Sequence, residues 1–243
     1  MTLSPAFGLY IHIPFCWSKC PYCSFYSVKP ADLQQIRAYV DAIVNQARQI
    51  SSSQISSFMN NRPLMDNRPL KSIYLGGGTP SVLGVSEINR LISSIFKIFR
   101  PKPGIEVTIE ANPGDIDDSF FLNPPFYFNR ISIGVQSFNS RILRFLQRRH
   151  TPEKALQALG AAKKAGLNVS GDLIFNVPGQ SLGDFMTDLD IMIKSGIDHV
   201  SLYDLHVEPD TPMYPLENQD QELNWLMYSH ALKRLSKAGI RQY

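Results

Sequence analysis

Residues 9–23 read LYIHIPFCWSKCPYC. The first five, Leu9 to Ile13, are apolar and rich in β-formers, which predicts a short strand. All three cysteines of the chain follow at once, as Cys16-x-x-x-Cys20-x-x-Cys23. Their number is odd, so a closed disulfide framework is excluded. Thiols crowded into one loop point instead to metal binding in a reducing, cytoplasmic setting. The loop would gather three thiolates at the C-terminal end of a sheet, and three soft donors suit zinc or an iron–sulfur cluster. A structural zinc needs four ligands. His12, the one nearby candidate for a fourth, lies inside the strand, where a packed or hydrogen-bonded histidine is the plainer reading. A [4Fe–4S] cluster with one iron left open needs only three cysteines, and that iron can take a small molecule through an amine and a carboxylate.

Outward from this loop, strand and helix patterns alternate. A helix is expected over 31–50, where Leu33, Ile36, Val40, Ile43, Val44 and Ala47 recur at three- and four-residue spacing. Residues 51–68 are polar and uneven and read as a surface loop or insertion. Then come a strand at 72–75 running into Gly76-Gly77-Gly78-Thr79-Pro80, a helix at 88–99, and strands at 105–111 and 130–136. Thr151-Pro152 reads as N-cap and first residue of a helix that Gly166 ends. A strand follows at 167–175. Ser181 and Asp184 form a capping box for the next helix, closed by Gly196. A strand at 199–205 and a helix at 220–238, stopped by Gly239, complete the series, and residues 241–243 read as the start of another strand. Six β–α units in strict alternation imply a parallel sheet with right-handed crossovers, either doubly wound or most of a (β/α) barrel. No Gly-x-Gly-x-x-Gly follows the first strand, which counts against a dinucleotide-binding version.

Composition narrows the function classes. The chain has 243 residues and a net charge of +3, too weak a bias to argue for nucleic acid or an anionic membrane surface. With 44% apolar and 19% charged residues it is globular in composition, and no run approaches the length of a membrane span. The N-terminus carries no secretory pattern.

Polar residues recur where the strands end: the glycine turn after the second, Glu110 and Asn112 at the third, Gln136 at the fourth with Arg148 beyond it, Asp172 within the fifth, and His206 after the sixth. Singly, each could be a cap or a surface group. Together they form a ring at the face where α/β barrels place their active sites.

The cysteine loop and the GGGTP turn resemble the radical S-adenosylmethionine superfamily. The segments YIHIPFCWSKCPYCSFYS, YLGGGTPS, TIEANPG, RISIGVQSFN and DLIFNVPGQ more narrowly resemble the oxygen-independent coproporphyrinogen III oxidase family and its HemW branch. The resemblance covers nearly the whole chain. It implies an α/β fold, a TIM-barrel-like partial (β/α)6 barrel, with residues 1–243 as one radical S-adenosylmethionine core domain. It also implies that Cys16, Cys20 and Cys23 ligate three irons of a [4Fe–4S] cluster. Tyr10, Gly77, Gly78 and Thr79 would lie against the methionine part of S-adenosylmethionine, Glu110 would accept from the ribose hydroxyls, and Tyr22 would lie near the adenine. Gln136, Arg148 and Asp172 would complete the pocket, with Arg148 suited to a carboxylate. The implied chemistry is one-electron cleavage of the sulfonium C–S bond to a 5′-deoxyadenosyl radical, driven by a donor such as flavodoxin or ferredoxin.

Two departures separate the branches. The oxidases resemble this chain but carry a fourth cysteine two residues after the third, where Phe25 stands here. They also have an N-terminal extension before the first strand. Both features favour the HemW branch, which implies a haem chaperone with haem as a bound group and a haem-acceptor protein as partner. Oxidative decarboxylation of a porphyrinogen is the alternative. HemW-like chains continue into a C-terminal part with a His-Asn motif linked to haem, and this sequence ends before it, so the C-terminal domain is expected to be absent or truncated. His150, His199, His206 and His230 fall outside that motif and none is assigned as a haem ligand.

Overall fold

The computed structural model describes residues 6–52, 69–122, 124–216 and 220–243. Its strands are β1 (Phe7–Ile13), β2 (Leu70–Gly77), β3 (Glu106–Ala111), β4 (Arg130–Gln136), β5 (Asn168–Phe175) and β6 (His199–Asp204). They follow one another in sequence order in a six-stranded sheet that has β1 and β6 at its ends. The pairs β1–β2, β2–β3 and β5–β6 are parallel. The helices are α1 (Leu33–Ser51), α2 (Gly84–Phe99), α3 (Ser140–Phe145), α4 (Pro152–Lys164), α5 (Leu182–Lys194) and α6 (Gln221–Lys237). This is the α/β alternation expected, with two differences. Residues 241–243 carry no strand. The short α3 is an addition: only six residues long, it is too brief to show a helical period. The segment read as an insertion falls almost wholly outside the described residues.

The chain divides into two compact units, one of residues 1–17, 27–110 and 123–130, the other of residues 18–26, 111–122 and 131–243. In the first, β1 pairs with β2 over Phe7 to Ile13 and β2 with β3 from Ser72↔Glu106 onward. Ile11, Ile13, Ile73, Leu75, Val107 and Ile109 are buried, alternate residues that lie on one face of the three strands, with Tyr10, His12, Tyr74 and Glu110 on the other. Helix α1 starts at Asp32, whose side chain accepts from Gln35 N, and buries Ile36, Val40, Val44 and Ala47. Helix α2 buries Ile88, Leu91, Ile92 and Ile95. Arg90 fastens the two helices, donating to Asp41 and to the Arg37 carbonyl while it pairs with Glu87 of its own helix.

In the second unit the caps fall where the sequence places them. Thr151 accepts from Lys154 N ahead of Pro152, and Ser181 and Asp184 form a complete capping box. Helix α4 buries Ala155, Ala158, Leu159, Ala161 and Ala162, a face of mostly small side chains that lets the helix approach β5 closely. Helix α5 buries Phe185, Leu189 and Met192 and, among them, Asp188. That carboxylate is 2% exposed. It accepts from the Ser137 hydroxyl and from Phe138 N at 2.8 Å, at the turn that leaves β4.

Two buried ionisable groups in this unit oppose each other in their pH dependence. Burial pushes the Asp188 carboxyl up to about 6 against the two hydrogen bonds it accepts. Burial, and then the charge of Arg148, hold the His150 imidazole down at about 4. His150 Nε2 faces the Val135 carbonyl at 3.0 Å and therefore carries the proton, while Nδ1 is buried without a partner. Asp188 favours folding when protonated, so its contribution is full below the unfolded value of 3.8 and is lost as pH rises through about 6. His150 favours folding when neutral, so its contribution is full above 6.5 and is lost as pH falls through about 4. Between these limits the slopes largely cancel. Asp188→Asn should expose the histidine slope, losing up to about 1.4 kcal/mol per pH unit on acidification, and His150→Gln should expose the reverse. Urea unfolding from pH 4 to 6.5 measures both; parallel profiles in the two variants would count against the assignment.

Candidate functional site

In the first unit, β1 runs into Pro14, Phe15 and Cys16. This extension is pinned by Cys16 N donating to the Val28 carbonyl at 3.0 Å and Val28 N to the Pro14 carbonyl at 2.7 Å. The glycine turn after β2 continues the ladder onto it. Gly78 N donates to the Ile13 carbonyl and Thr79 N to the Phe15 carbonyl, both at 2.8 Å. A Cβ on Gly78 would come within 2.8–3.0 Å of the backbone of Ile13, Pro14 and Phe15, and one on Gly77, whose φ is +115°, would enter the His12 ring. Gly78 is thus required by close backbone approach, and Gly77 by its positive φ and the His12 ring beside it. The turn brings Thr79 Oγ1 to 3.2 Å from Cys16 Sγ.

Glu110, at the end of β3, reaches under the same turn. Its carboxylate accepts from the Tyr74 hydroxyl at 2.6 Å and from Gly77 N at 3.1 Å. Tyr74 stacks on Tyr10, opposite it in the β1–β2 register, with ring centroids 6.2 Å apart. The Tyr10 hydroxyl lies 3.2 Å from His12 Nδ1. Burial and the Glu110 charge raise the Tyr10 phenol above its ordinary value. Cys16, Gly77, Gly78, Thr79 and Glu110 therefore share one end of the three strands of this unit, and Tyr10, midway along β1, is linked to them through Tyr74. Sequence reading overlooked Tyr74. Its signal is period two: it stands two residues before Gly76 and directly across from Tyr10.

The second unit holds the remaining residues. Cys23 N donates to the Cys20 carbonyl at 3.1 Å, closing a turn, and Met213 N donates to the Pro21 carbonyl at 3.2 Å. Tyr22 packs against the buried cluster that contains Ile142, Leu146, Ile174, Val177 and Met213. Burial pushes its phenol up, the Arg148 charge pulls it down, and the thiols of Cys20 and Cys23 push it up again, for a net rise. Arg148 Nη1 donates to Cys20 Sγ at 3.4 Å and lies 3.5 Å from the Tyr22 oxygen, and its Nη2 donates to the Gly134 carbonyl at 2.8 Å. Burial alone would lower this guanidinium; Tyr22 and Cys20 reverse that and raise it.

Gln136 ends β4 with φ at +67°, and Ser137 N donates back to the Val135 carbonyl at 2.9 Å. This is a positive-φ γ-turn, a strained conformation that survives only where its surroundings enforce it. The hydrogen bonds to Asp188 supply that enforcement. A Cβ on Gly134 would stand 2.8 Å from Gln136 Nε2 and 3.3 Å from Arg148 Nη2, so the space above this glycine is what both side chains occupy. Gln136 Oε1 and Arg148 Nε are buried and meet no partner. Asp172 accepts from the Ser132 hydroxyl at 3.1 and 3.2 Å. Sequence reading also passed over Asn176, just after β5. It adopts φ of +60°, which asparagine tolerates better than most residues, and donates to Asp204 at 3.2 Å.

The donor set fits the expected cofactors. Cys16, Cys20 and Cys23 are joined in no disulfide. Among the described residues no three His, Cys, Asp or Glu side chains are arranged around a single ion, whereas a cluster binds each thiolate at a different iron. Gln136 Oε1 and Arg148 Nε are a buried acceptor and a buried donor in want of partners, as an amino-acid head group would supply. Leaving such groups empty costs about 1–3 kcal/mol each.

Comparison with known proteins places the chain. The Radical SAM superfamily pattern matches residues 10–192. The chain is 34% identical over 246 residues to the heme chaperone HemW of Buchnera aphidicola subsp. Acyrthosiphon pisum, covering all of this chain and 62% of the relative. It is 34% identical over 251 residues to that of Escherichia coli K12, with the same coverage. The chain thus spans under two thirds of the length of these curated relatives. In fold it is similar to the coproporphyrinogen III oxidase HemN of Escherichia coli, with a TM-score of 0.77 and 24% identity over 96% of this chain and 52% of that one. It is also similar to Streptococcus suis SuiB bound to S-adenosylmethionine, with a TM-score of 0.63 and 16% identity over 96% of this chain and 48% of the other. A parallel α/β sheet, a three-cysteine loop after its first strand and a glycine turn after its second meet in one sequence pattern: the chain belongs to the Radical SAM superfamily, whose cofactors are a [4Fe–4S] cluster and S-adenosylmethionine.

Proposed function

We propose that this chain is the cluster- and S-adenosylmethionine-binding core of a HemW-like haem chaperone. The observation that carries the reading is chain-long similarity, at 34% identity, to heme chaperones from two bacteria. Phe25 supports it. Where the resembling oxidases have a fourth cysteine, this chain presents a phenylalanine that is 66% exposed. Haem would be the cargo, with a haem-acceptor protein downstream and a flavodoxin or ferredoxin as electron donor. No helix among the described residues is long and apolar enough to cross a membrane, and a cytoplasmic setting agrees with cysteines that form no disulfide.

In this reading Cys16, Cys20 and Cys23 hold three irons. Thr79 orients the Cys16 sulfur, and the methionine part of S-adenosylmethionine lies along Gly77, Gly78 and Thr79 beside Tyr10. Glu110 already accepts from Tyr74 and Gly77 and keeps lone pairs for ribose hydroxyls. Arg148 Nε meets the ligand carboxylate and Gln136 Oε1 its ammonium group, with Asp172 bordering the pocket and Tyr22 near the adenine. When bound, the two cofactors supply one-electron cleavage of a carbon–sulfur bond. The residues around them orient the ligand and keep water out.

The fold likeness to HemN favours a second reading, radical decarboxylation of coproporphyrinogen III. Anaerobically reconstituted protein, given dithionite, S-adenosylmethionine and coproporphyrinogen III, separates the two. The chaperone reading expects no protoporphyrinogen and stoichiometric haem binding in a parallel titration. Formation of the decarboxylated product would replace it with the oxidase reading. The ligand assignment is checked separately. Cys20→Ala should lose the broad absorption of the cluster and its iron while keeping the circular dichroism of the folded chain, and a variant that retains the cluster would overturn it.

A further inference from the structure

We propose that Arg148 raises the reduction potential of the cluster through its contact with Cys20. The proposal rests on the reading that Cys20 is a cluster ligand. Its physical basis is an unusual arginine. A desolvated charge is normally met by an opposite one, because it is costly alone. The partners of Arg148 are a sulfur, a phenol oxygen and a backbone carbonyl, and its buried Nε has none. The neighbouring Arg149 shows the contrast: it pairs with Asp115 at 2.7 Å and is 38% exposed in its side chain. The placement of Arg148 is also built in. The glycine at 134 clears the space, and the carbonyl of that same residue holds Nη2, which leaves Nη1 directed at Cys20 Sγ.

A guanidinium N–H on a thiolate is a charge-assisted hydrogen bond, stronger than a neutral one. Hydrogen bonds to cluster sulfurs, net charge and solvent exposure are the levers that set iron–sulfur potentials. Reduction adds one electron from a low-potential one-electron donor, here dithionite, to the core, with no bond formed and no proton taken up. The added charge spreads onto the cysteine sulfurs. A half-buried cation beside one of them favours the reduced state, and the shielding by Tyr22 preserves the effect. Arg148 is thus a positioning and tuning residue as well as a donor toward the ligand.

The test is an electron-paramagnetic-resonance redox titration of anaerobically reconstituted protein without S-adenosylmethionine. It compares the wild type with Arg148→Gln, Arg148→Lys and Arg149→Gln. Arg148→Gln should shift the reduction equilibrium at least tenfold toward the oxidised cluster, about 59 mV for one electron. Arg148→Lys, which keeps the charge and loses the fork, should fall between it and the wild type, and Arg149→Gln should match the wild type. Unchanged potential in Arg148→Gln at wild-type iron and sulfide content overturns the proposal. If that variant holds no iron, Arg148→Lys decides, and a wild-type potential there overturns it. Loss of iron from both Arg148 variants, with Arg149→Gln loading normally, overturns it in favour of a purely structural role. Failure of every protein to take up iron rejects the cluster reading, and the proposal with it.

Discussion

The carboxylate of Asp188 is the fixed point of the second unit. A buried acid on α5 accepts from the hydroxyl of Ser137 and the amide of Phe138, and so determines how the chain leaves β4. Its neighbour one turn earlier, Asp184, accepts from Asn139 Nδ2 at 3.0 Å and pairs with Arg141 at 3.0 Å. Between them the two acids fix the inverted φ of Gln136, the start of α3 at Asn139, and the return of the chain that delivers Arg148 to the Gly134 carbonyl. The proposed site residues here are arranged at one remove, by a helix that carries none of them. In the first unit the equivalent constraint is backbone to backbone. The glycine turn hydrogen-bonds onto the extension of β1, and a cysteine and a threonine are brought within 3.2 Å as a result.

What the sequence made legible was whatever is local. Cap residues such as Thr151 and Ser181 stand at helix starts because the physics of unsatisfied N–H groups acts within one turn. The strand at 130–136 and the cysteine loop are equally local, and the boundaries of β4 are those read from sequence. The alternation of the units, and with it the parallel sheet, followed from period alone. Tyr74, Asp188 and the partner of Arg148 were not legible. Tyr74 meets Glu110 across 36 residues, Asp188 meets Ser137 across 51, and Arg148 meets Cys20 across 128. Side chains that meet at such separations are set by the fold as a whole. An aspartate on an amphipathic helix otherwise reads as a solvated one.

The same distinction explains why Arg148 reads differently before and after its surroundings are known. Its chemistry alone suits a ligand carboxylate. In place, two of its three nitrogens are already committed to the protein, to a carbonyl and to a thiol, so on the proposed assignment the side chain serves the metal site and the ligand site together. Glu110 has the same dual character, since it holds the glycine turn by Gly77 N and has lone pairs to spare. Residues that support the site and residues proposed to meet the ligand are, to this extent, one set.

The unpartnered atoms Gln136 Oε1 and Arg148 Nε have a consequence outside chemistry. A protein that leaves a buried donor and a buried acceptor unmet is less stable empty than filled, by whatever the ligand restores, and the population of locally open chain rises accordingly. In a cell, proteases sample that open population. If the ligand meets these atoms as proposed, the empty form is the shorter-lived form, and cofactor supply sets the abundance of the protein as well as its competence. Limited proteolysis of the reconstituted protein with and without S-adenosylmethionine reads this directly; equal cleavage rates would remove the link.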